Sequence, residues 1–121
     1  MAFSAPEHKI IAAERALGRK LPEPLRSRIA QYNGGEVSTD IDDWQLHPVR
    51  DDTDRKRLAR SASDIVLETE TARNWPGFPT HGIAVASNGT GDLLILLPHS
   101  DSIWLWSHET GVVGIAAVHW L

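Results

Sequence analysis

The chain of 121 residues contains no cysteine. Disulfide frameworks, thiolate metal sites, zinc ribbons and thiol nucleophiles are therefore excluded, and a reducing compartment suits such a chain. Long hydrophobic runs are lacking too, since none approaches the roughly 18 residues that span a bilayer. The first residues, MAFSAPEHKIIAAERALG, carry Glu7 and Glu14 within their apolar stretch and have no basic start, so they do not read as a secretory signal. A soluble, cytoplasmic protein with no membrane partner is expected. An excess of positive charge is also missing: 12 Lys and Arg stand against 16 Asp and Glu, for a net charge of −4. Phosphate binding needs a basic patch, so nucleic acid is not expected as a direct partner.

What is present is ordinary globular material. Apolar residues make up 41% and charged residues 23%, which rules out a disordered, collagen-like or coiled-coil chain. The length suits one domain with a single continuous core. The charge is unevenly spread. Residues 1–35 hold six basic and three acidic groups, whereas residues 36–54 hold Glu36, Asp40, Asp42, Asp43, Asp51, Asp52 and Asp54 against Arg50 alone. The plainer reading of this stretch, favoured by sequence alone, is a solvated loop rich in turn-forming Asp. The sharper reading is a surface that attracts a basic protein.

Ser4 with Glu7 three residues later predicts a capping box, and Ile10, Ala13 and Leu17 continue at helical spacing to Gly18, a C-terminal cap. After Leu21-Pro22, a second helix is expected with Leu25, Ile29 and Tyr32 on one face, stopped by Asn33-Gly34-Gly35. Residues 44–49 read as a short edge strand that tolerates Pro48. The run 54–63 is too polar to assign. Asp64 or Ser63 caps a third helix with Ile65, Val66, Thr69 and Ala72 inward. Residues 83–87 and 93–97 are apolar on both faces and so belong in the middle of a sheet, joined by a turn shaped by Gly89, Gly91 and Asp92. A further strand at 102–108 sets Trp104 and Trp106 on one face, and the C-terminal VVGIAAVHWL suits a strand or a helix start. The expected fold is α+β, with N-terminal helices packed on a mainly antiparallel sheet in a single domain, residues 1–121. The core is expected to hold Leu17, Leu25, Ile29, Ile83, Val85, Leu94, Leu96 and Leu105.

No catalytic constellation stands out. His99 with Asp101 and His108 with Glu109 lack the spacing of a helical metal motif. The loop 88–92 leads into a strand rather than a helix N-terminus, and Asp92 would repel a phosphate. There is no G-x-S-x-G elbow. No catalytic residue, metal or cofactor is expected. Of the five tryptophans, Trp104 and Trp106 suit a core beneath the helices, Trp75 a packing plug over the sheet, and Trp44, within the acidic stretch, a contact residue.

The order of these signals resembles the SUKH superfamily, the domain of the fungal Smi/Knr cell-wall regulators and of many bacterial immunity proteins. The matching elements are Ala13-Glu14, Leu17-Gly18, Leu21-Pro22, Asn33-Gly34-Gly35, the stretch from Trp44 to Val49, Ile83 to Ala86, Gly91-Asp92 and His108-Glu109. The resemblance spans about residues 7 to 111. The resemblance implies binding rather than chemistry. Bacterial members are typically encoded beside toxins, many of them nucleases or nucleic-acid deaminases that tend to be basic, and neutralise them by direct association. A cognate, basic toxin encoded nearby is the implied partner, with Asp40, Asp42, Asp43, Asp51 and Asp52 facing it and Trp44 as apolar anchor. A general regulatory or scaffold module is the alternative, and a small hydrolase a weaker one. Family members also continue past the His-Glu position into a C-terminal helix. Here that helix must be short or missing, which would expose part of the sheet.

Overall fold

The computed structural model describes residues 3–120. The first helix, α1 (Glu7–Leu17), starts at Pro6 with no side-chain cap, so the expected capping box does not form. Glu7 pairs with Arg26 instead, which holds its carboxyl below the usual range. Gly18 ends α1 as expected: its φ of +83° is left-handed, and the Arg19 N–H donates to the Glu14 carbonyl at 3.1 Å, the long bond of a Schellman ending. The second helix, α2 (Leu25–Gln31), buries Leu25 and Ile29. Tyr32 does not continue that face. It is exposed, with the Arg28 guanidinium 5.4 Å above its ring.

Two strands follow, β1 (Glu36–Ser38) and β2 (Asp43–Leu46), and then two helices, α3 (Arg55–Arg60) and α4 (Ile65–Ala72). The polar run 54–63 thus contains a short helix. Asp54 caps it by accepting from the Arg57 N–H at 2.8 Å. Asp64 caps α4 in the same way, taking the Val66 and Leu67 N–H groups at 3.0 Å. The chain ends with β3 (Ile83–Ser87), β4 (Leu93–Leu96), β5 (Trp104–Trp106) and β6 (Val113–Ile115). All six strands form one antiparallel sheet in chain order, so β3 and β4 lie at its centre, and β1 rather than β2 is the edge strand.

The central strands are buried on both faces, by different means. The face under the helices joins Ile10, Leu25, Ile29 and Ile65 to Val37, Trp44, Leu46, Ile83, Val85, Leu94 and Leu96. Leu17 and Leu105 are half-buried against this cluster rather than inside it. Fully burying a side chain of this size stabilises by about 1.5–3 kcal/mol. The register slips between Ala84 and Ala86, which turns both Val85 and Ala86 toward the helices. The opposite face carries Ala84, Leu93, Ile95 and Trp106, covered by Ala72 and Phe78. Trp104 and Trp106 therefore lie under the segment after α4, not under the N-terminal helices.

The last described residues are neither helix nor full strand. Ala116, Val118 and Trp120 pack on the helix-side core, while Ala117 and His119 point outward. His119 exchanges backbone hydrogen bonds with Ser38 on the free edge of β1. This strap covers part of the sheet where a missing C-terminal helix was expected to leave it bare. Leu121 lies outside the described residues.

Candidate functional site

Several of the shared motif positions hold the fold. Glu14 is buried and accepts from the Leu21 N–H at 2.7 Å and from Arg26 Nε at 3.0 Å, which ties α1 to the Leu21-Pro22 connection and to α2. Asn33 is buried, and its carboxamide bonds both the N–H and the carbonyl of Val49 at 2.8 Å. Gly34 and Gly35 make the turn into β1. Asp92 does more than shape a turn: its Oδ1 accepts from the His108 N–H at 3.0 Å and from Nδ1 at 2.7 Å, pinning the start of β4 to the residues after β5. The His108 hydrogen bond holds the Asp92 carboxyl below its ordinary range, against a smaller upward push from burial.

The acidic stretch divides in space. Asp51 is buried: Oδ1 accepts from Thr53, and Arg57 Nε stands 3.9 Å from Oδ2. Asp52 forms an ion pair with Lys9 on the helical side, and this hydrogen bond lowers its pKa. Asp54 is the α3 cap. These three serve the fold locally. Asp40, Asp42 and Asp43 are instead exposed on the β1–β2 hairpin. Asp40 accepts from His119 Nε2 at 2.9 Å, and Asp42 accepts from the Asn88 carboxamide at 2.9 Å. Among the described residues, no lysine or arginine pairs with the side chains of Glu36, Asp40, Asp42 or Asp43.

Trp44 is not on that surface. It is 1% exposed in the core, with its indole N–H donated to Thr39 Oγ1 at 3.0 Å, so it has no face to offer as an anchor. The exposed apolar group of the hairpin is Ile41, at 75% exposure. Its position between Asp40 and Asp42 was the available signal, hidden by the polarity around it.

Register shows what shares a face. Glu36 pairs Gln45, Gln45 pairs Ser87, Ser87 pairs Leu93, and Leu93 pairs Trp106. Directly opposed residues point the same way, so this row runs from an open acidic end to an aromatic end on the face away from α1 and α2. A shallow hollow at the open end is lined by Glu36, Asp43, Gln45, Ser87 and Asn88. At the aromatic end Trp75 stacks on Trp106 at 6.1 Å, as expected for a plug over the sheet, yet remains 36% exposed. Among the described residues, no group of three or more His, Asp or Glu side chains converges as a metal site, and no helix is long and apolar enough to cross a membrane. This face thus carries open carboxylates at one end and partly covered aromatics at the other.

The family model described as SMI1 / KNR4 family (SUKH-1) matches residues 4–118. No curated protein and no solved structure matches the chain.

Proposed function

The chain belongs to the SMI1/KNR4 family (SUKH-1), and from that membership we propose that it is a non-enzymatic protein-binding domain, an immunity protein that neutralises a cognate toxin in the cytoplasm by binding it directly. The observation that carries this reading is the hairpin whose carboxylates, among the described residues, have no lysine or arginine partner. Glu36, Asp40, Asp42 and Asp43 repel one another, and a basic partner relieves that repulsion while its approach is steered by the same field. A basic toxin of the nuclease or deaminase kind supplies that charge. Asp40, Asp42 and Asp43 form the contact surface with Ile41 between them. Asp52, on the helical side, lies apart from it, and Asp51 and Trp44 act through the fold alone.

A regulatory interaction module of the Smi/Knr type is the second reading, supported by the family match itself. The two separate in a co-expression experiment. Expression of the product of the neighbouring gene should arrest growth, and this chain should restore it, whereas Asp42→Lys with Asp43→Lys should rescue poorly. If the wild-type chain restores no growth and forms no complex with that product, the immunity reading falls and the regulatory one takes its place.

A further inference from the structure

We propose that the aromatic pocket at the end of the sheet face is a second binding site, one that receives an arginine side chain of the protein partner. This rests on the reading of the chain as a protein-binding domain with a basic partner. The pocket, about 310 Å³, is walled by Trp75, Pro76, Gly91, Trp106 and His108. That is the lower end of the range for ligand pockets and is ample room for one long side chain.

The pocket is held in shape before anything enters it. The segment after α4 is fixed by the Trp75 N–H donating to the Ala72 carbonyl at 2.9 Å and by the Trp106 indole N–H donating to the Gly77 carbonyl at 3.1 Å. Phe78 sets its ring edge against Trp106 at 5.3 Å. On the other wall, a Cβ on Gly91 would stand 3.0 Å from His108 Cγ, and φ is +105° there, so only glycine lets the loop lie against this imidazole. Asp92 fixes the imidazole from behind. Binding then needs little reordering.

Charge selects the occupant. None of the five wall residues is Lys or Arg. Asp92 Oδ2 accepts no hydrogen bond among the described residues, and the side chain is 29% exposed. The loop that carries Gly91 begins at Asn88, which donates to Asp42. Asn88 and Gly91 are three residues apart, at most ~11 Å, so the loop that walls the pocket also carries the contact to the acidic hairpin. An arginine can lay its guanidinium on the Trp75 face, rest its methylenes on Pro76 and turn its fork toward a carboxylate. A purely apolar side chain uses the walls and leaves the carboxylates unanswered.

The test needs no toxin. The indole N–H resonances of the isotope-labelled protein are followed while acetyl-Gly-Arg-Gly-amide is added at constant ionic strength, with lysine and norleucine peptides alongside. The arginine peptide should shift the Trp75 and Trp106 signals saturably, with a midpoint of ~10–100 mM. The lysine peptide should bind more weakly, and the norleucine peptide should cause no saturable shift. Trp75→Leu, which keeps apolar bulk outside any helix or strand, should abolish saturation. Equal shifts with norleucine would overturn the cationic occupant, undiminished binding by the Leu variant would overturn the stacked arginine, and no shift with any peptide would overturn the site. None of these results bears on the hairpin. Conversely, failure to bind the toxin alongside saturable arginine binding would remove the immunity reading and leave the pocket standing.

Discussion

Among single residues, the main division is between carboxylates that serve the fold and those that face solvent. Glu14, Asp51 and Asp54 each accept backbone or side-chain donors within their own neighbourhood. His47 adds a titratable group of the opposite kind. It is buried beside β3, and its Nδ1–H donates to the Ala84 carbonyl at 2.8 Å. Burial pushes its pKa below the ordinary 6.5, outweighing the upward pull of that carbonyl and of Glu68 and Asp64. The fold thus prefers the neutral ring, while the unfolded chain titrates normally. Stability from this group is complete above 6.5 and declines as pH falls through that value toward the lower folded one. Glu7, Asp52, Asp54 and Asp92 are also lowered, but from ordinary values of 4.5 or 3.8, so they act in more acid solution. Urea denaturation should therefore show stability falling between about pH 7 and 5.5, by no more than about 1.4 kcal/mol per unit, and His47→Gln should flatten that slope. Equal slopes in both proteins would exclude His47 as the source.

At the level of elements, the strap from Ala116 to Trp120 closes the edge of β1. An unpaired edge strand invites pairing with another chain. Deleting residues 116–121 removes the packing of Val118 and Trp120 and the bridge to Ser38. The expected loss is on the order of 2 kcal/mol, read as a lower denaturant midpoint, together with concentration-dependent self-association in sedimentation. A truncated chain that is monomeric and as stable as the whole would show the strap to be incidental. The central strands and the α4 start were legible in the sequence because local signals agree there: β3 and β4 are apolar on both faces, and Asp64 stands immediately before an apolar run. Three elements were not. β1 is three residues with one buried side chain, too short for alternation to show. α3 buries none of its residues and depends on its Asp54 cap. The strap is set by one bridge across the whole chain length, which no local pattern encodes. The candidate site was legible as composition but not as geometry. Counting carboxylates grouped Asp51 and Asp52 with Asp42, although burial and Lys9 separate them. Trp44 was misplaced for a related reason. Its alternation with Asp43 and Gln45 marks an inward face, but the acidity of its neighbours suggested an outward one.

Across the whole molecule, charge is unevenly distributed. Residues 1–35 hold six basic groups against three acidic, while the hairpin presents Glu36, Asp40, Asp42 and Asp43. Such an asymmetry orients a basic partner toward the hairpin before contact and acts chiefly on the association rate. Exposed charges contribute little to folding, so the hairpin can be reversed without loss of the domain. The most direct test is the association rate with the proposed toxin, the product of the neighbouring gene, at low and high ionic strength, for the wild-type chain and for Asp42→Lys with Asp43→Lys. The account predicts a rate at least about tenfold lower for the variant at low salt and a flatter dependence on salt, with unchanged thermal stability. An unchanged association rate at low salt would contradict it.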